Sequence, residues 1–282
     1  MALIVPSGPN WAYYTDNMPS TPSASQFGTT VTAGANDTMG TAVTCISALS
    51  HDCEYMQIFP GGYASSTNAG ETIMDILFDP AGGTSWTTLI SGLLVGHTRS
   101  RSTSTPSPLC YDFPIWLPSG TSIGAQAQTH LTTTDAGEVI ISVRGGNRNP
   151  ASWWCGQGVE TIGVDRTSSQ GTLITPGNSG AFSSWTSLGS PTVTTRTAGA
   201  VQFAGQGNSN NTSARAFRLE FGADSNIIGP PLNVFTNSTE DGWNMNSGLI
   251  FKQIESGEQL QVRGTSGATN TEQIGCAAYI VY

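Results

Sequence analysis

The chain has 282 residues, with 10 Lys and Arg against 19 Asp and Glu and a formal net charge of −9. Charged residues make up only 10% of it and Lys252 is the single lysine, whereas about a quarter of an ordinary globular protein is charged. Clustered cations for phosphates or for an anionic membrane are missing, so the expected partners include no nucleic acid and no membrane.

Taken in order, the chain opens with MALIVPSGPN, which has neither a basic start nor a long apolar core. No secretory leader is expected there, and the chain is expected to be made in a cytosol. Residues 1–27 read as an N-terminal arm carrying Trp11, Tyr13 and Tyr14. Short runs of alternating apolar and polar residues come next, the mark of half-buried strands. They include TIMDILFD (72–79), YDFPIWLP (111–118), TSIGAQAQ (121–128), EVIISV (138–143), ARAFRLEFG (214–222), GLIFKQI (248–254), EQLQVRG (258–264) and AAYIVY (277–282). Turn clusters separate them: PGG at 60–62, DPAGG at 79–83, PSG at 118–120 and ESG at 255–257. No window of a dozen residues keeps a 3.6-residue period. The fold class is therefore all-β, with sandwich or barrel architecture.

The chain also repeats itself. GTTVTAG (28–34) is echoed by GTLITPG (171–177), and Gly28 to Gly171 is an offset of 143 residues. The same offset sets Trp11 on Trp154, Gly62 on Gly205, Asn68 on Asn211, and Met74, Ile76 and Phe78 on Phe217, Leu219 and Phe221. Later it falls to 137, where LPSGTSIGAQA (117–127) lies over IESGEQLQVRG (254–264). Two tandem antiparallel β-sandwich domains, jelly-roll-like and born of an internal duplication, are predicted. They span 28–143 and 172–282, joined by a connection at 144–171. Gly34, Gly120, Gly177 and Gly257 define turns in this scheme.

Several patterns raise the question of chemistry. GTSIG (120–124) spells the serine-hydrolase nucleophile pattern, which requires a strained strand-to-helix turn. Here a second strand follows, and Gln259 occupies the matching place in the second half, so Ser122 reads as part of a turn. HDCE (51–54) would place His51 and Cys53 on one side of a strand, yet a polar strand-to-strand turn describes it better. Asp75 is expected on the outward face of its strand, and Asp79 in a turn, with no partner acid for glycoside hydrolysis. Five cysteines at 45, 53, 110, 155 and 276 form no Cys-x-x-Cys. They read as free thiols, although a hairpin could bring Cys45 and Cys53 together. No catalytic residue, cofactor or metal is expected, and the chain reads as not an enzyme.

Contact residues are expected instead where the halves differ. HTRSRSTSTPSPLC (97–110) is replaced by TNSTEDGWNMNS (236–247) in the second half. Arg99, Arg101, Trp243 and Met245, with Trp11, Tyr13, Tyr14, Trp153 and Trp154, are the candidate protein-contact residues.

The DPAGGTSW (79–86) and LPSGTSIGAQAQ (117–128) segments, in a lysine-poor, Ser/Thr/Gly-rich chain of two sandwiches, resemble structural proteins of tailed bacteriophages. The resemblance spans nearly the whole chain through its two halves. It implies a virion location and a non-enzymatic head decoration or cement protein that binds the assembled capsid. Its partners would be the major capsid protein or other virion proteins, and it would form a homo-oligomer, a trimer by preference. A tail or neck accessory protein, or a receptor-binding protein that grips glycans, is the alternative.

Overall fold

The structure is a computed structural model that describes residues 10–20, 28–61, 63–64, 71–95, 97–98, 109–131, 134–148, 154–193, 199–208, 213, 215–236, 245–268 and 271–282. The candidate contact residues Arg99, Arg101, Trp153 and Trp243 lie outside them, as does the Asn68–Asn211 pair. No helix occurs among the described residues. The strands of the first half are β1 (Tyr13–Asp16), β2 (Thr29–Gly34), β3 (Val43–Ile46), β4 (Cys53–Pro60), β5 (Tyr63–Ala64), β6 (Thr72–Asp79), β7 (Thr87–Val95), β8 (His97–Thr98), β9 (Tyr111–Phe113), β10 (Ser122–Thr129) and β11 (Asp135–Gly145). Those of the second half are β12 (Val159–Ile162), β13 (Val164–Asp165), β14 (Gln170–Ile174), β15 (Thr186–Gly189), β16 (Ala200–Gly207), β17 (Arg215–Ala223), β18 (Asn226–Ile227), β19 (Leu232–Thr236), β20 (Met245–Asn246), β21 (Leu260–Ser266) and β22 (Ile274–Val281).

The first half is a curled sheet in the order β7-β6-β10-β2-β11-β4-β9, with β1 on β11 and β3 on β10, and a two-stranded parallel sheet of β5 and β8. The second half has two sheets. One is β13-β14-β22-β16-β20 with β12 on β22, and the other is β15-β21-β17-β18 with β19 on β17. Thus β1 of the arm and β12 to β14 of the connection belong to the sheets themselves.

The two halves are built on one plan. β3 pairs β10 at Ile46–Ile123, Thr44–Gly124 and Val43–Ala125, with a bulge after the first pair. β15 pairs β21 at Gly189–Leu260, Ser187–Gln261 and Thr186–Val262, with the same bulge. These are the offsets of 143 and 137. The corner after β2 repeats as well. Gly40 N–H donates to Ala127 O at 2.8 Å, and Ser183 N–H to Gly264 O at 2.9 Å. Non-glycine residues with positive φ begin both corners, Asn36 at 51° and Ser179 at 52°. A Cβ on Gly34 would stand 2.1 Å from Thr38 O, and one on Gly177 would stand 2.1 Å from Ala181 O. Close backbone approach, not positive φ, demands glycine at both. Gly120 and Gly257 differ, with φ of 86° and 83° in open turns.

Two details depart from the sequence alignment. Ala127 pairs Met74 and its counterpart Gly264 pairs Leu219, so Met74, Ile76 and Phe78 correspond to Leu219, Phe221 and Ala223. Likewise Val139 pairs Pro60 and Cys276 pairs Gly205, so Gly205 matches Pro60, not Gly62. A slip of two residues keeps every side chain on its face, so alternation alone does not detect it.

The pairing is also not wholly antiparallel. β2 lies between β10 and β11, antiparallel to β11 and parallel to β10 at Ala33–Ala127 and Gly34–Gln128. A strand inserted between two successive antiparallel strands must run parallel to one of them. Gly177 and Thr265 repeat the parallel bridge in the second half.

The halves are welded. β16 and β22 are buried along their whole length. One face gives Val201, Phe203, Cys276, Ala278 and Ile280 to the second core. The other gives Ala200, Ala204, Ala277, Tyr279 and Val281 to the first. Those alanines let the backbones approach. The curled sheet leaves a seam between its edge strands β7 and β9, and this face fills it. Tyr279 accepts from Leu94 N–H at 2.8 Å and donates to Gly92 O at 3.1 Å. Gln206 donates to Val95 O at 2.8 Å, and Gln202 binds the main chain of Asp112. Tyr111 of β9 spans the seam, donating to Leu94 O at 2.7 Å. Edge strands with unmet backbone groups are thereby satisfied by side chains.

Asp75 does sit on the outward side of its strand, as alternation demands, yet it is only 2% exposed. The turn between β13 and β14 covers it. Arg166 pairs with its carboxylate at 2.6 and 2.7 Å, and Gly92 N–H donates to it at 2.8 Å. Gln128 donates to Arg166 O at 2.6 Å and to Ser169 Oγ at 3.0 Å, fixing the same turn.

Candidate contact face

Strand register builds one surface from residues far apart in sequence. Arg144 of β11 pairs Tyr14 of β1 on one side and Tyr55 of β4 on the other. Next to this row, Ser142 pairs Asp16 and Gln57, and Gln57 pairs Asp112 of β9. Paired residues share a face of the sheet, so these seven side chains form a grid on its outward side.

The grid is fastened internally. Trp11 stacks on Tyr55, with centroids 5.9 Å apart. The Arg144 guanidinium lies 5.9 Å from the Tyr14 ring and 6.0 Å from the Tyr55 ring, within cation–π range. It donates to Gln57 Oε1 at 2.6 Å. Asp112 Oδ1 accepts from Tyr55 OH at 2.5 Å and from Gln57 Nε2 at 2.9 Å. Burial, then the bond to Asp112, pushes the Tyr55 hydroxyl far above its ordinary value, so it stays a donor. The bond between Tyr14 and Asp16 raises Tyr14 in turn. Rings and planar polar groups held in fixed positions lose little freedom when a partner covers them.

A cleft of about 440 Å³ opens beside the grid, lined by Tyr13, Ser50, His51, Asp52, Glu54, Ser119 and Gly146. Tyr13 and His51 stack with centroids 3.7 Å apart. Asp52 Oδ1 accepts from Ser119 N–H at 2.7 Å. Cys53 does not share this side with His51, so the two make no nucleophilic pair. The strand begins only at Cys53, whose side chain is in the first core while His51 is exposed. Burial pushes the Cys53 thiol up to about 11 and the Cys110 thiol up to about 12. Neither is a thiolate nucleophile near neutrality.

Ser122 is 1% exposed at the start of β10, and its hydroxyl donates to Ser47 O. Asp79 caps its own turn, accepting from Ala81 and Ser85 N–H at 2.9 and 2.8 Å. All five cysteines are free. No group of three His, Cys, Asp or Glu that could hold a metal ion occurs among the described residues.

Of the contact residues read from the sequence, Trp11 and Tyr14 join the grid and Tyr13 the cleft. Trp154 packs against the first core, and Met245 pairs Gly205 and packs against the second. Tyr55, Gln57, Asp112 and Arg144 are not among them. The signal for Tyr55 and Gln57 is present in CEYMQIFP, where large planar residues occupy the outward positions.

No protein-family model and no curated protein matches the sequence. Among solved structures, the chain is similar to PNGase F, a glycosylasparaginase from Flavobacterium meningosepticum, at 8% identity, with 95% of each chain covered and a TM-score of 0.41. It is similar to the tandem CBM22 domains of Paenibacillus barcinonensis Xyn10C at 10% identity, with 85% of this chain and 82% of that one covered and a TM-score of 0.23. It is also similar to the Macrobrachium rosenbergii nodavirus structure at 11% identity, with 95% and 96% covered and a TM-score of 0.22. At TM-scores below 0.5 these likenesses assign this chain neither a family nor an activity. The expectation that the chain is not an enzyme is nevertheless withdrawn, because a glycosylasparaginase stands among the structures it resembles.

Proposed function

We propose that this protein is a structural component of a tailed-bacteriophage virion, a head decoration or cement protein that holds its neighbours through the grid of β1, β11 and β4. The observation that carries the reading is the place of this face in the repeated plan. Tyr14–Arg144–Tyr55 in the first half correspond to Val159–Val281–Ala200 in the second. In the second half that scaffold face is a buried contact with another sandwich. In the first half the same face points outward and carries large planar side chains. Low charge and abundant Ser, Thr and Asn suit broad hydrogen-bonded contacts. A protein that binds only the assembled lattice stabilises that lattice by mass action.

The test is co-sedimentation of purified protein with particles lacking it, alongside immunogold labelling of intact particles. Binding to heads, lost in Tyr14→Ala and Arg144→Ala, supports the reading. Gold confined to tails or necks moves it to an accessory role. A second reading, glycan binding, rests on the Tyr13–His51 stack beside Asp52 and Glu54, and a glycan array tests it. Particles that stay unlabelled while the protein is abundant would sink the virion assignment.

A further inference from the structure

The internal contact between the halves is head-to-tail, not face-to-face. The second half offers the outward face of β16 and β22. The first half receives it at the seam and along β7, where Leu94 meets Tyr279. Leu94 pairs Ile73, and Ile73 pairs Gln128, so these three share the receiving side of their sheet.

Register carries the receiving side into the second half. Gln128 corresponds to Thr265, Ile73 to Arg218 and Leu94 to Asn233, since Thr265 pairs Arg218 and Arg218 pairs Asn233. Phe235 pairs Ala216 and Ile227 pairs Gly222 on this same side. The chain therefore keeps one offering face, on the first half, and one receiving face, on the second.

Exposed apolar side chains stand at both ends, and Met18, Trp116 and Phe251 are exposed as well. Tyr14 is 59% and Tyr13 44% exposed at the first, and Phe235 is 53% and Ile227 54% exposed at the second. Both faces carry charges of both signs: Arg144, Asp16 and Asp112 in the offering grid, and Arg218, ion-paired with Glu220 at 3.7 Å, on the receiving side. We propose that the occupant of each face is a second copy of this chain. The β1/β11/β4 grid of one copy seats on the β17/β19 face of the next, repeating in trans the contact that joins the halves in cis. The inference rests on the grid being a contact face and names its partner. Arg218 and Asn233 replace Ile73 and Leu94 at this second contact, so it is more polar than the internal one and reversible. Being heterologous, it closes to a ring or extends as a filament.

Sedimentation equilibrium of the purified full chain tests this. Wild type is expected to exceed the monomer mass, with the fraction assembled rising with concentration. Tyr14→Asp and Phe235→Asp, both at exposed sites, are each expected to give monomers with unchanged circular dichroism. Mixed in equal amounts, they should form a one-to-one dimer and nothing larger, because each retains the face the other has lost. A monomeric wild type, or a mixture that stays monomeric, overturns the proposal. Assembly unaffected by either variant overturns it too. A monomeric wild type that still binds particles through Tyr14 would leave the contact-face reading standing.

Discussion

The side-chain amide of Gln202 takes both main-chain groups of Asp112, donating from Nε2 to the carbonyl at 2.9 Å and accepting at Oε1 from the amide at 3.4 Å. One side chain thus acts as a short piece of strand along the free edge of β9. Gln206, four residues on, makes a single bond of this kind, donating to Val95 O of β7 at 2.8 Å.

Gln202→Leu keeps the bulk and removes the pairing, leaving the Asp112 amide and carbonyl without it. A buried main-chain group left unmet costs about 1–3 kcal/mol, so the unfolding free energy read from urea denaturation should fall by that amount and the midpoint with it. Gln206→Leu should behave alike through Val95 O. A variant as stable as wild type would mean that water replaces the amide at the seam.

A second consequence concerns cooperativity. Tyr279 and Val281 belong to the first core while Ala278 and Ile280, on the same strand, belong to the second. The halves cannot part without opening both. Tryptophan fluorescence and far-ultraviolet circular dichroism should therefore trace one coincident transition. Tyr279→Phe should move both probes together, and two separated transitions would contradict the shared sheet.

Much of this was legible in the sequence, and what was missed has physical causes. Strand alternation and the offset pairs at Gly34 and Gly177 follow from local geometry, so the all-β class and the repeat could be read. The two-residue slip at Met74 and Leu219 conserves the apolar phase and leaves no mark on the pattern. The seam was invisible because AVQFAGQG shows Gln202 and Gln206 as ordinary alternating polar residues. Only tertiary placement makes them substitutes for a strand. Alternation put Asp75 outward, but it does not reveal what covers an outward face. In the contact grid, Trp11 and Tyr14 stood out as aromatics in the arm, whereas Tyr55 and Arg144 needed register.

Arg166 is the cation that compensates the buried Asp75. Arg166→Met would leave a carboxylate inside with only Gly92 N–H and Gln126 beside it. Breaking one side of a buried pair costs about 3–5 kcal/mol. The half-exposed arginine points to the low end, about 3 kcal/mol. Adding Asp75→Asn to Arg166→Met should recover part of that loss in thermal melts. A harmless single variant would show that water already reaches Asp75.

Alkaline pH should destabilise the fold. Burial raises Cys45 to about 12 and Cys53 to about 11 from an ordinary 9.0, and Tyr111 rises in the same direction. Above about pH 9 the unfolded chain sheds thiol protons that the folded chain retains. Stability present below pH 9 is thus lost progressively as pH climbs towards 12. Melting temperature measured from pH 8 to 10.5 should fall, and Cys45→Ala should flatten the slope. A melting temperature independent of pH across that range would mean these thiols are open to solvent.

The repeat itself can be tested at its glycines. Gly34→Ala forces a methyl group against Thr38 O at 2.1 Å, and Gly177→Ala against Ala181 O at the same distance. Both obstacles are main chain, so neither can turn aside, and each substitution should cost about 3 kcal/mol. Gly120→Ala and Gly257→Ala meet nothing within 4 Å and suffer only the positive φ. For these about 1 kcal/mol is expected. Chemical denaturation of the four variants should sort them by type of corner and not by half of the chain. A ranking by half would mean that the two corners, alike in hydrogen bonds, carry different loads.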